Sequence, residues 1–183
     1  MPSIPGQVVQ NAFLVRDIDR AMDQWTRLVG AGPFFVGRDR DSSVLSLRGQ
    51  PVLGATHVAV GQAGDVQIEL FEILSERQGS GPQMFPMGEF GLHHVAIFSD
   101  DLIEAVAGYR RQGYDLAAEA EFGGDSRAAF IDTRADFGMF IEVYQDARFF
   151  RDFYAAVAAA AASWDGSDPV RSLDELTASV LAA

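Results

Sequence analysis

The feature that most constrains this chain is an internal repeat. QNAFLVRDIDRAMDQWTRL, from Gln10, lies over HVAIFSDDLIEAVAGYRRQ, from His94, without a gap at an offset of 84 residues. Ala12 falls on Ala96, Asp17 on Asp101, Ala21 on Ala105, Trp25 on Tyr109 and Arg27 on Arg111. Each copy reads as a short strand, an acidic helix N-cap and an amphipathic helix. Asp101 and Glu104 have capping-box spacing with Asp in the Ser/Thr role, and Ser172 with Glu175 has it again near the C-terminus. Gly30, Gly32 and Pro33 close the first helix, and Gly113 closes the second.

The ends of the copies repeat as well. DVQIELFE superposes on GMFIEVYQ, with Ile68 on Ile141, Glu69 on Glu142, Leu70 on Val143 and Phe71 on Tyr144. Between the ends lie strand-like segments: Phe34–Gly37, Val44–Leu47 and THVAVG from Thr56 in the first copy, AAEAEF from Ala117 and RAAFIDT from Arg127 in the second. The expected organisation is therefore a first strand–helix–three-strand module over residues 1–74 and a linker over 75–91. A second such module follows over 92–146, then a helical extension over 147–183. The linker is rich in Gly and Pro, and its Met84, Phe85, Met87 and Phe90 are expected to pack on the domain or cover a cavity mouth. ARFFRDFYAAVAAAAASW is a strong helix by propensity, suited to core cover or a dimer contact.

Bulk properties remove whole classes of function. A net charge of −12 argues against nucleic acid and anionic membranes as partners. There is no cysteine and no lysine, so disulfides, thiolate sites, Schiff bases and a Walker-type phosphate lysine are excluded. MPSIPGQVVQ lacks the basic-then-apolar pattern of a signal peptide, and no apolar run has the length of a membrane span, so a cytoplasmic location is expected.

Strand alternation brings four polar residues into register. Gln10 and His94 are repeat mates on the opening strands, and Glu69 and Glu142 are mates on the closing strands. A charge in the middle of an apolar strand needs either water or a partner, and here it occurs twice in the same context. If the modules pack about a pseudo-twofold axis, an amide, an imidazole and two carboxylates converge on one point. Such a set suits a divalent ion (Zn, Ni, Co, Mn or Fe), which would also offset the repulsion of two close carboxylates. The faces carrying Asn11, Phe13 and Val15, Ile68 and Leu70, Val95 and Ile97, and Ile141 and Val143 are suited to packing under the helices. Alternation turns His93 away from His94, and puts His57 on an inner strand where it could line the cavity.

With these residues in view, the duplicated unit and the segments GLHHVAIFSDD, DVQIELFE and FGMFIEVYQ resemble the vicinal oxygen chelate superfamily, the glyoxalase/bleomycin resistance/dioxygenase group. The likeness runs from about Gln7 to Gln145 and is nearest to glyoxalase-like and methylmalonyl-CoA epimerase-like members. It implies an α+β fold in which tandem βαβββ modules form a cupped mixed sheet around a metal, with helices outside and the C-terminal helices as an addition. It implies metal ligands at Gln10, Glu69, His94 and Glu142, a set that resembles eukaryotic-type glyoxalase I. The epimerases typically carry His where this chain has Gln10, and extradiol dioxygenases need two histidines and a carboxylate.

The resemblance further implies an isomerase, epimerase or lyase that abstracts a proton next to a carbonyl, with the metal stabilising the enolate or enediolate. Glu142 is the favoured base and Glu69 the other candidate. Phe71, Phe98, Phe140 and Tyr144 are expected to shape the substrate pocket. Arg38, Arg40, Arg48 and Arg127 are candidates to greet a CoA carrier, with solvated surface charge as the plainer reading. The expected partner is a small-molecule substrate, in a homodimer. A non-catalytic small-molecule binding protein on the same scaffold is the alternative, and a dioxygenase is the third reading.

Overall fold

The computed structural model describes residues 7–41, 44–51, 54–76, 90–122 and 126–183. The two halves of the repeat fold alike. Strand β1 (Gln10–Leu14) leads into helix α1 (Ile18–Val29), and β7 (Gly91–Ser99) leads into α2 (Leu102–Arg111). The Asp17 carboxylate accepts from the Arg20 amide and the Asp101 carboxylate from the Glu104 amide, each at 2.9 Å, so both helices start on the same cap. The Asp101–Glu104 box is one-sided, because the Glu104 side chain accepts from Arg111 at 2.5 Å on the exposed face. Gly30 ends α1 at φ 77°, a left-handed conformation that costs glycine little.

The remaining strands are β2 (Phe34–Asp41), β3 (Val44–Leu47), β4 (Gln50–Pro51), β5 (Gly54–Ala63) and β6 (Val66–Glu76) in the first half. The second half has β8 (Leu116–Glu121), β9 (Arg127–Asp132), the short α3 (Arg134–Phe137) and β10 (Phe140–Gln145). The chain then forms α4 (Arg148–Ala162), β11 (Val170–Ser172) and α5 (Leu173–Leu181), the last capped by Ser172 accepting from the Glu175 amide at 3.2 Å. Among the described residues, strands run in the order β11-β2-β5-β6-β1-β7-β10-β9-β8-β3-β4 in one mixed sheet of 11 strands.

Register carries the repeat into three dimensions. β1 lies parallel to β6 with Gln10 beside Gln67 and Ala12 beside Glu69. β7 lies parallel to β10 with His94 beside Phe140 and Ala96 beside Glu142. The halves meet where β1 and β7 pair antiparallel, Gln10 beside Ala96 and Ala12 beside His94. Ala12 and Ala96 are both fully buried there. Two strands cross over: β3 forms as expected from the first half of the sequence, but pairs with β8 at the edge of the second half, with β4 outside it.

The outer face of the sheet packs under the helices as the alternation requires. Ile18, Ala21 and Met22 of α1 bury against Ile68 and Leu70, while Ala105 and Tyr109 of α2 bury against Ile97, Ile131 and Val143. Full burial of each large apolar side chain contributes about 1.5–3 kcal/mol, enough for these stripes to decide which face of the sheet is covered. The inner face is covered differently. Val157 of α4 and Leu173 of α5 join Phe35 and Val60, and Phe150 of α4 joins Phe130 and Tyr144. The C-terminal helices therefore roof the concave side, where the sequence indicated only core cover or a dimer contact. Phe90 lies at the surface with the Arg16 guanidinium 4.0 Å over its ring. Met84, Phe85 and Met87 fall outside the described residues.

Candidate metal centre and its cavity

Three side chains converge on the concave face. Glu69 projects from β6, His94 from β7 and Glu142 from β10, and one ligand atom of each lies within 4.8 Å of the other two. Metal bonds of about 2.0–2.2 Å to imidazole and carboxylate make that spacing short enough for a shared ion after a small inward movement. His94 Nε2 is 3.0 Å from Glu142 Oε2 and 3.5 Å from Glu69 Oε2. It points between the carboxylates and makes no aligned hydrogen bond with either. A buried imidazole nitrogen between two carboxylates suits a metal ligand as well as an ion pair.

Electrostatics gives the same account. Burial alone would lower the His94 pKa, but Glu142 and Glu69 outweigh it and raise it to about 9. Burial pushes Glu142 above the ordinary carboxylate range, against the pull of His94 and with repulsion from Glu69 adding to the rise. The pocket thus demands positive charge at one point, which a proton on His94 or a divalent cation can supply.

Gln10 is buried beside this cluster, and both ends of its amide are engaged. Its Nε2 donates to Gln67 Oε1 at 2.7 Å, and its Oε1 accepts from the Tyr144 hydroxyl at 3.2 Å. An amide oxygen has two acceptor positions, so Oε1 retains one that a cation could use. Burial and the Glu142 charge hold the Tyr144 hydroxyl protonated, which keeps it a donor here.

His93 is a correction to simple alternation. The register of β7 against β1 shifts between Ala12 and Phe13, which pair with His94 and Leu92 respectively. His93 is the residue left over, a bulge that rotates it onto the same side as its neighbour. Its Nδ1 lies 2.8 Å from His94 Nδ1, and its ring is 5.2 Å from that of Phe71 and 5.0 Å from that of Phe140. His57 also departs from the expectation that it could line the cavity. Thr56 and Val58 line it instead, and His57 Nδ1 accepts from the Asp39 amide at 3.0 Å, fixing the left-handed turn of β2.

The cluster opens into a cavity of about 450 Å³ between sheet and roof, within the range of small-molecule sites. Of the aromatics expected in the pocket, Phe71 and Tyr144 line it. Phe98 stands behind, packed 5.7 Å from Tyr144 and 5.3 Å from Tyr154, and Phe140 is buried against His93 and Arg134. Residues the sequence did not single out complete the wall: Gln67 of β6, Phe130 of β9, and Phe149, Phe150, Phe153 and Tyr154 of α4. The available signals were a polar Gln67 where its repeat mate is Phe140, and an aromatic stripe at spacings of three and four along α4.

The four arginines considered for a polyanionic carrier are all paired. Arg38 bonds Asp19 and Arg48 bonds Asp132, each at 2.5 Å, Arg127 bonds Glu121 at 3.1 Å, and Arg40 bonds Asp174 of α5. Only Arg40 among them lines the cavity, and its charge is already answered.

Residues 9–130 match the family described as the glyoxalase/bleomycin resistance protein/dioxygenase superfamily. The chain belongs to this superfamily. Within it, the fold is similar to that of methylmalonyl-CoA epimerase from Mycobacterium tuberculosis, at 18% identity and a TM-score of 0.52, over 82% of this chain and 95% of that one. It is also similar to a hypothetical protein from Bacillus halodurans, at 18% identity and a TM-score of 0.50, over 78% and 95% of the two chains. At that identity the likeness is one of fold. No curated protein matches the sequence. No helix among the described residues is long and apolar enough to cross a membrane.

Proposed function

We propose that this superfamily member is a metal-dependent isomerase, epimerase or lyase of the glyoxalase-like type, acting on a small substrate by removing a proton next to a carbonyl. The observation that carries the reading is the buried His94 Nε2 aimed between the carboxylates of Glu69 and Glu142. Glu69, His94 and Glu142, with Gln10 as the fourth ligand, would hold the ion. When bound, a divalent ion supplies Lewis-acid polarisation of a substrate oxygen and so acidifies the adjacent C–H.

The chain's own residues do the rest. Glu142 takes the proton and returns it, as the more buried of the two carboxylates, whose basicity burial raises. Glu69 is the second carboxylate and the more exposed of the two. Tyr144 and Gln67 hold the Gln10 amide from both ends, which fixes the direction of its oxygen. The roof of α4 and α5 limits water at the reacting carbon.

The test has two arms. Protein stripped with chelator and titrated with Zn, Ni, Co, Mn and Fe should retain one equivalent of ion, and Glu69→Gln should lose most of that affinity. Solvent deuterium should then enter the protons next to the carbonyl of acyl-CoAs or hemithioacetals, and Glu142→Gln should slow this by about 10²–10⁴-fold. If no ion is retained, and both variants bind ligand as the parent does, the chain is a non-catalytic binding protein. Iron retention with oxygen uptake would instead indicate a dioxygenase.

A further inference from the structure

The cavity carries polar groups that the proposed reaction centre leaves unused. Gln67 is 1% exposed, and with its Oε1 occupied by Gln10 its Nε2 has no partner. It lies on the same face of β6 as Glu69, two residues away, so the donor is offset from the carboxylates by about 7 Å along the strand. The Tyr154 hydroxyl is the second such group. It is buried close to Tyr144 but without an aligned hydrogen bond to it. Burial and the carboxylates of Glu142 and Glu69 hold it protonated, so it too is a donor. An unanswered buried donor is costly, and a ligand oxygen would relieve that cost.

Most of the remaining wall is aromatic, with Val58, Val60 and Leu173 beside it. Phe71, Phe122, Phe130, Phe149, Phe150 and Phe153 surround the space, and the Phe122, Tyr144 and Phe150 rings already meet edge-on or tilted at 4.4–6.0 Å. Such a wall accepts another ring in the same geometries. The cavity offers no free cation among the described residues: Arg40 is paired with Asp174, and Glu121 is itself paired with Arg127.

We infer that the substrate is a compact aromatic 2-oxo or 2-hydroxy acid. One oxygen faces the Glu69, His94 and Glu142 cluster, another accepts from Gln67 Nε2 or Tyr154, and the ring lies among the phenylalanines of α4. The assignment rests on reading that cluster as the reaction centre. It runs against a coenzyme A thioester, whose phosphates would meet arginines that are already paired.

Calorimetric titration of the full chain, both zinc-loaded and chelator-stripped, tests this with phenylpyruvate, 3-phenyllactate, pyruvate, lactate and propionyl-CoA as probes. The aromatic acids should bind at least about tenfold more tightly than their aliphatic counterparts, the worth of burying one phenyl group. Tyr154→Phe, which removes only the hydroxyl, should weaken phenylpyruvate by about 2–10-fold. Phe153→Ala should weaken the aromatic acids and leave pyruvate unchanged. Equal binding of aromatic and aliphatic acids, tighter binding of propionyl-CoA, or indifference to both substitutions in variants with parental circular dichroism would overturn the assignment. The two readings fail separately. Zinc uptake without ring discrimination sinks the substrate class alone, whereas ring discrimination in a protein that takes up no zinc sustains the ligand class and sinks the catalytic centre.

Discussion

His93 and His94 face each other through their Nδ1 atoms at 2.8 Å, although they are adjacent in a strand. A contact that short between two ring nitrogens needs a single proton between them. When His94 uses Nε2 toward a cation, its Nδ1 must carry that proton and His93 Nδ1 must accept it. The bulge in β7 therefore supplies the hydrogen-bond acceptor that fixes the His94 tautomer, the role a carboxylate or carbonyl plays behind many metal-bound histidines.

His93→Phe preserves ring packing against Phe71 and Phe140 and removes this acceptor. It should weaken zinc by about 10–100-fold in a competition titration with a coloured chelator. Parental zinc affinity in the folded variant would show that His93 does not orient His94.

Gly61 faces Phe34, whose ring carbons would lie 2.8 Å from an added Cβ. Phe34 is fully buried and has no room to retreat. Gly61→Ala should cost about 1–3 kcal/mol in urea denaturation. Gly64, where an added Cβ meets nothing, is the control for space, though its φ of 59° carries its own strain.

Asp132 ties the β3–β4 turn to β9, accepting from Arg48 at 2.5 Å and from Arg134 at 2.8 Å. The Arg134 hydrogen bond, with Arg48 adding to it, holds its carboxyl at about 2 against an ordinary value of 3.8. A lowered folded value means stability that is present above pH 3.8 and lost as pH falls through about 2. Asp132→Asn should therefore cost about 1–2 kcal/mol at pH 7, discounted for partial exposure. The gap from the parent should close between pH 4 and pH 2; a gap independent of pH would mean that packing, not charge, is responsible.

Val157 is fully buried and pins α4 to Phe35, Val60 and Leu173. Val157→Ala should destabilise the protein by about 1–3 kcal/mol. Because this contact holds the roof, amide hydrogens of α4 should exchange faster while those of β1 and β7 keep their protection. Uniform acceleration across the sheet would mean that roof and cup unfold together.

The repeat made most of the fold and the centre of the site legible. Two glutamates at matched positions can be paired from sequence because strand alternation and repeat register are both local, countable properties. The misreadings have physical causes. A bulge is one extra residue set by sheet curvature, so His93 could not be assigned its side by alternation. His57 is claimed by a backbone amide in β2, a contact between segments that no periodicity encodes. Core cover by the alanine-rich helix was legible, but its seat over the cup was not, because such a helix packs equally well on either face or on another chain. Gln67 and Tyr154 were passed over because an unpaired donor is defined by its surroundings rather than by its neighbours in sequence.

The strand order has one more consequence. β2 and β3 stand toward opposite ends of the sheet, yet Asp41 and Val44 are three residues apart in the chain. Three peptide steps span at most about 11 Å, so the covalent backbone laces the far margins together like a drawstring. Residues of α4 and α5 line the cavity over Glu69, His94 and Glu142, so the helices outside the repeat supply part of the wall around its centre.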